Sequence, residues 1–190
     1  MAVIKEYKCL AHGDFDSVNG VCPHGCTTVV RAFRTAPGGR SEKTKKTDAT
    51  LSRLAEKFGL KIIISGAKKD IGLAEEIKKM MKSLVVITCG RTTLKELGAL
   101  LERAHLVVAN DTGPMHLAVA MKAKTIALFG PTSPAITGPY GESCYKVISK
   151  NDSCDIPCYD FTCTDNRCMR TIEVEDVLEE AVRMLEEGCR

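Results

Sequence analysis

The chain has 190 residues, a net charge of +3, 44% apolar and 27% charged residues, and ten cysteines. That length suits one ordinary domain, or one domain with a small appendage, and can bury a core without metals or disulfides holding the bulk together. The composition excludes chain-wide disorder and a fibre, the charge is too small to argue for nucleic acid or membrane by itself, and the cysteine fraction, about 5%, falls below the ~8–10% of a disulfide scaffold.

Met1 is not followed by the basic, apolar and small-residue run of a secretory leader. The longest apolar runs, such as Leu106–Asn110 and Thr125–Phe129, fall far short of the ~20 residues of a transmembrane segment. A cytoplasmic, reducing setting is therefore expected, where clustered cysteines bind metal or stay free more often than they pair. There is no Trp and little aromatic content, so nucleic acid is not an expected partner.

Residues 1–36 are marked by Cys9-x2-His12 and Cys22-Pro-His24-Gly25-Cys26. Two Cys/His pairs across a turn can supply zinc with four tetrahedral ligands. Cys9, His12, Cys22 and Cys26, with His24 as a substitute, are the expected ligands of a structural zinc; free thiols on an arm are the competing reading. YKCLAHGDFDSVNGVCPHGC, and RAFRTAPGGRS after it, resemble the small zinc-ribbon-like knuckles of phage-encoded proteins. Residues 37–60 read as a basic linker and a short helix. The cluster Arg31, Arg34, Arg40, Lys43, Lys45 and Lys46 could meet nucleic acid, but only Phe33 offers stacking there.

Residues 61–149 alternate strand and helix. KIIIS at Lys61–Ser65 is a β-branched run closed by Gly66. Asp70–Lys82 carries Leu73, Ile77, Met80 and Met81 at helical spacing. LVVIT at Leu84–Thr88 is the next strand. Thr93-Leu-Lys-Glu96 is a capping box that opens a helix with Leu94, Leu97 and Leu101 on one face. LVVA at Leu106–Ala109 is a third strand, and Pro114 stands where a first helical residue would. Met115–Met121 is apolar nearly all round, as in a buried helix. TIALF at Thr125–Phe129 is a fourth strand, and Tyr145–Ile148 a candidate fifth. Short apolar strands separated by helices predict an α/β fold: a Rossmann-like parallel sheet with helices on both faces, binding ligands at the carboxyl ends of its strands.

The strongest chemical signal is Asn110-Asp111-Thr112-Gly113-Pro114-Met115-His116, directly after a strand and opening a helix. A helix start offers unpaired N–H groups and a partial positive charge. Gly113 would let a phosphate approach the backbone, Thr112 can cap the helix and donate its hydroxyl, and His116 can point at the same anion. Asp111 would repel phosphate and suits a sugar hydroxyl instead. An ordinary capped helix with a core histidine is the alternative.

VVANDTGPMHLAVAMKAKTIALFGPTSPAITGPYG resembles the signature of glycosyltransferase family 9, the heptosyltransferase-like family; SGAKKDIGLAEEI, CGRTTLKELGALLERA and CDIPCYDFTCTDNRCMRTIEVEDVLE agree with it. The resemblance runs from about Lys61 to Arg190. It implies the C-terminal, nucleotide-sugar-binding half of a two-domain GT-B glycosyltransferase. The donor would be an ADP-sugar, typically ADP-heptose, and the acceptor the lipopolysaccharide inner core. Transfer would invert the anomeric carbon without a required metal, in the cytoplasm or at the inner face of the inner membrane. By motif, Asp111, Thr112, Gly113 and His116 would hold the sugar and diphosphate. The Gly90–Leu94 loop, with Gly90 and Thr93, would lie near the adenine. Gly130, Pro131 and Thr132 would line the mouth of the next strand.

The acceptor domain, and the carboxylate base expected on it, are not among the residues that carry the resemblance, so the isolated chain is expected to be inactive in transfer. The family's Pro-Gly turn and Lys-bearing element have a candidate counterpart in Pro37-Gly38 and Lys45-Lys46; a solvated basic linker is the other reading. No strand is evident there, so the join near Gly59–Lys61 reads as a fusion of unrelated segments. A nucleic-acid-binding zinc knuckle and a non-functional fusion fragment are the competing functions. Cys154-x3-Cys158-x4-Cys163-x4-Cys168 could close a metal site or form a loop of packed thiols. A last helix follows Thr171, with Val174, Val177, Leu178, Ala181 and Leu185 on one stripe and Glu179, Glu180, Glu186 and Glu187 on a solvated face.

Overall fold

The computed structural model describes residues 50–81, 84–150, 154–158, 160 and 163–186, together with the backbone of 27–31. Six strands form one parallel sheet: β1 (Thr27–Arg31), β2 (Lys61–Ser65), β3 (Val85–Ile87), β4 (Leu106–Asn110), β5 (Thr125–Phe129) and β6 (Tyr145–Ser149). Their order is β3-β2-β1-β4-β5-β6. The chain runs outward from β1 to β3, returns to the far side of β1, and runs outward again to β6. That reversal puts a topological switch point between β1 and β4, where ligands of doubly wound sheets sit. Val29 stands level with Ile63 of β2 and with Val107 of β4.

Helices cover both faces, as expected. Along β2, β4 and β5 successive side chains alternate between two cores, the period-2 consequence of the strand pleat. Ile62, Ile64, Leu106, Val108, Ile126 and Leu128 face one side, against α1 (residues 50–58), α2 (Ile71–Met80) and α7 (Val174–Glu186). Ile63, Val107, Ala109, Ala127 and Phe129 face the other, against α3 (Leu94–Glu102) and α4 (Gly113–Ala120). Two four-residue helices, α5 (Pro134–Thr137) and α6 (Arg167–Arg170), follow β5 and the cysteine loop.

The stripe on α7 forms as read, with Met184 added to Val177, Leu178 and Ala181 as its buried residues. Ion pairs Arg53–Glu175 (2.7 Å) and Lys57–Glu186 (3.0 Å) bind α7 to α1. Glu180 is not simply solvated: it pairs with Lys146 at 3.5 Å and with Arg183. Leu94 departs from the expected apolar face of α3. It is 72% exposed, while Leu97 and Leu101 are buried, because the capping residue sets the first turn at the sheet edge.

The largest difference lies at the start. TTVVR was read as part of the Cys/His segment, yet β1 pairs along its length with β2 and in part with β4. Five residues bounded by Cys26 and Ala32 carry too short an apolar run to announce a strand. The sheet therefore extends across Gly59–Lys61, and no break between unrelated segments falls there. The expected zinc ligands Cys9, His12, Cys22 and Cys26 lie outside the described residues. Cys144 is disulfide-bonded, which the expectation of free thiols did not foresee. Cys89, Cys154, Cys158, Cys163 and Cys168 are not in disulfides.

Candidate functional site

The turn after β4 sits at the switch point. Asn110 ends the strand, pairing with Leu128, and the Asp111 N–H donates to the Leu128 carbonyl at 3.2 Å. The chain then enters α4 with Pro114 in the first turn. Thr112 does not cap the helix with its side chain. Its backbone is extended, and its hydroxyl turns back to donate to the Asn110 carbonyl at 3.0 Å. The N–H groups of Met115 (2.9 Å) and His116 (3.4 Å) are taken by the Thr112 carbonyl. Pro114 has no N–H. Among the described residues no acceptor reaches the N–H of Gly113, so the open donor set is narrower than the sequence suggested.

Gly113 is exposed, and a Cβ built on it would meet nothing within 4 Å. The fold does not require glycine there, and the space beside it is open to an incoming group. Asp111 is well enclosed, its side chain 14% exposed, and its Oδ2 accepts the Thr137 hydroxyl at 2.7 Å. Its Oδ1 lies 4.0 Å from Nε2 of His116, a half-exposed ring that forms an ion pair when protonated. His116 is thus an outward residue and not the core histidine of the alternative reading. The Asn110 Oδ1 is buried without a hydrogen-bond partner among the described residues, a condition that native interiors rarely leave unmet.

The other expected residues lie along the same carboxyl edge. The loop carrying Gly90 and Thr93 leaves β3 at the sheet margin, three strand spacings or about 14 Å from β4. Gly90 has φ +68°, and a Cβ there would lie 2.8 Å from the Lys68 Cα. Its N–H donates to the Gly66 carbonyl at 2.9 Å, locking this loop onto the turn after β2. Thr93 and Glu96 form the expected capping box: Thr93 Oγ1 accepts the Glu96 N–H at 3.3 Å, and Glu96 Oε2 accepts the Thr93 N–H at 2.8 Å. The hydrogen bonds from the Thr93 backbone and then its hydroxyl hold the Glu96 carboxyl below its ordinary pKa. On the other side, Gly130 is buried against Met169 of α6, and Thr132 is half-buried beside it.

The structure thus gathers Asp111, Thr112, Gly113 and His116 at one point, with Gly90 and Thr93 at one end of an elongated edge and Gly130 and Thr132 at the other. Sequence reasoning missed the role of Thr137 and left Asn110 without one. Only pairing across elements reveals the first; the second was legible as the polar residue ending an apolar strand. Among the described residues no group of three or more His, Cys, Asp or Glu is placed to hold a metal, and the four cysteines at 154–168 do not converge. No helix is long and apolar enough to cross a membrane among those residues.

Sheet order, switch point and the helix start beside it define a Rossmann-like α/β unit, the class that binds nucleotides at this edge. The chain belongs to glycosyltransferase family 9, the heptosyltransferases, whose sequence model matches residues 43–167. That match, too, begins before Gly59–Lys61. A lipooligosaccharide heptosyltransferase 2 of Campylobacter jejuni is 34% identical over 158 residues, 78% of this chain and 49% of the relative. The structure is similar to a glycosyltransferase of the same family from Veillonella parvula (TM-score 0.73, 22% identity, 85% of this chain and 46% of that one). It is also similar to an Escherichia coli heptosyltransferase solved with ADP-2-deoxy-2-fluoro heptose (TM-score 0.57, 20% identity, 90% and 45%). The chain spans about half the length of these relatives, and its fold is that of one half of a GT-B enzyme.

Proposed function

We propose that this chain is the donor-binding half of a heptosyltransferase, holding an ADP-sugar of the ADP-heptose type for transfer to a lipopolysaccharide inner-core acceptor. The observation that carries this is the Gly113 N–H, unpaired among the described residues, at the start of α4 and at the switch point of a family 9 sheet. The N–H and the helix dipole attract the diphosphate, and the missing side chain lets it approach. Asp111 accepts a sugar hydroxyl, and His116 stands beside the same anion. Gly90 and Thr93 lie toward the adenine, and Gly130 and Thr132 flank the opposite side. The chain leaves β1 from this same edge into the stretch bearing Pro37-Gly38 and Lys45-Lys46. That stretch itself lies outside the described residues. The acceptor surface and the general base belong to a second half, and no metal enters the transfer step.

Calorimetry with ADP and ADP-heptose tests the reading. Both ligands bind the wild-type chain, and Gly113→Val weakens both at least about tenfold, 1.4 kcal/mol. The same variant leaves the melting temperature nearly unchanged, because the position is exposed and a Cβ there meets nothing within 4 Å. A folded wild-type chain that binds neither ligand at millimolar concentration sinks the assignment. The 190-residue chain alone transfers no sugar to an inner-core acceptor; sustained turnover would show that it carries its own base and acceptor surface.

A further inference from the structure

We propose that Thr137 is a positioning residue for sugar recognition, holding the Asp111 carboxylate so that one oxygen is committed to the protein and the other faces the donor sugar. The proposal rests on the donor-site reading above and names a residue outside the Asn110–His116 turn. Thr137 ends α5, and its hydroxyl donates to Asp111 Oδ2 at 2.7 Å, with the Ser133 carbonyl a more distant acceptor at 3.3 Å. Among the described residues, Asp111 Oδ1 accepts no hydrogen bond and has the His116 ring at 4.0 Å.

A carboxylate with two free oxygens can rotate and offers either edge to a hydroxyl. With Oδ2 tied to a donor, the plane of the group is set before the sugar arrives, and the rotational entropy of ordering it is not lost on binding. The Thr137 oxygen keeps its lone pairs, so it can also accept from a neighbouring sugar hydroxyl.

A purely architectural role fits the surroundings poorly. α5 has four residues and buries none of them. Ile136 and Tyr140, on and just after α5, are 68% and 93% exposed. Among the described residues, the Thr137–Asp111 contact is the one side-chain hydrogen bond between α5 and the β4–α4 turn. α5 buries no side chain of its own, so this bond, more than packing of α5, sets where the carboxylate points.

The test uses the full chain, with ADP and ADP-heptose as probes in calorimetry, and the variants Thr137→Val, Thr137→Ser, Asp111→Asn and the Thr137→Val/Asp111→Asn double. Thr137→Val is expected to weaken ADP-heptose by about 2- to 12-fold, the range for one hydrogen bond, and to leave ADP within about twofold. Thr137→Ser restores wild-type binding. The double variant binds ADP-heptose no more weakly than Asp111→Asn alone, because Thr137 acts through Asp111.

Equal losses for ADP and ADP-heptose, additive losses in the double variant, or a lowered melting temperature in Thr137→Val would each mark a structural residue and overturn the proposal. Unchanged ADP-heptose binding in Thr137→Val, with a clear loss in Asp111→Asn, overturns it while leaving the donor site standing. A wild-type chain that binds neither ligand overturns the donor site and this role together.

Discussion

Two helices begin at the carboxyl edge of the sheet behind a threonine, and the fold treats them oppositely. At α3, Thr93 and Glu96 close the box on each other, consuming the threonine hydroxyl, its N–H and the Glu96 N–H. At α4, Thr112 turns its hydroxyl away to the Asn110 carbonyl, and the donor of Gly113 stays open. The closed end leaves β3, at the margin of the sheet; the open end leaves β4, beside the switch point. A capped end is a stable end, and an uncapped one retains its dipole and donors for something outside the chain. The contrast extends to the glycines. Gly90, near the closed end, is demanded by the fold, whereas Gly113 at the open end is tolerated by it and left clear.

The contrast can be broken first at those glycines. Gly90→Ala places a Cβ 2.8 Å from the Lys68 Cα and forces a non-glycine residue to φ +68°. It should lower unfolding stability by about 1–3 kcal/mol in urea titration. Gly113→Ala should change stability by less than about 0.5 kcal/mol, as an exposed site with open space does. Equal losses at the two positions would erase the distinction between a glycine the fold demands and one it leaves clear.

The caps offer a smaller test. Thr93→Ala removes the hydroxyl half of the box, keeps the backbone N–H that Glu96 accepts, and should cost about 1 kcal/mol, within the range of ~0.5–2 for capping residues. Thr112→Ala removes a hydroxyl that does not cap and should cost less than that. A larger loss at Thr112 would show that its bond to Asn110 organises the turn more strongly than a cap organises α3.

The smallest effect is in pH. The bonds from Thr93 lower the Glu96 pKa in the folded state, so their stabilisation is present above the ordinary carboxylate value of 4.5. It is lost as pH falls through the lowered value, because the unfolded state then binds the proton more readily. Thr93→Ala should therefore flatten the acid limb of the stability curve slightly, while Thr112→Ala leaves its slope unchanged. Denaturation midpoints between pH 3 and 6 (a range of about three pH units around the carboxylate values) distinguish the two.

The strands β2, β4 and β5 were legible because each is a continuous apolar run, as a parallel sheet buried on both faces requires. The capping box and the helix start after Asn110 were legible because they are local: a cap is made by residues three apart, and its chemistry is written in consecutive letters. β1 was not. TTVVR becomes a central strand only because β2 and β4 stand on either side of it, and pairing between segments far apart in sequence leaves no local trace. The direction of the Thr112 hydroxyl could not be read either, since capping and bonding back to Asn110 use the same residue, and the extended backbone at Thr112 decides between them. Nor could the Asp111–Thr137 bond be read, since it joins groups 26 positions apart. The sequence by itself determined the strands and most helices from Lys61 onward and the helix start after Asn110, because these follow from short-range periodicity and capping. The tertiary structure decided which strand lies at the centre, which helix end stays open and which carboxylate oxygen is free, because each of these depends on what the folded chain brings alongside.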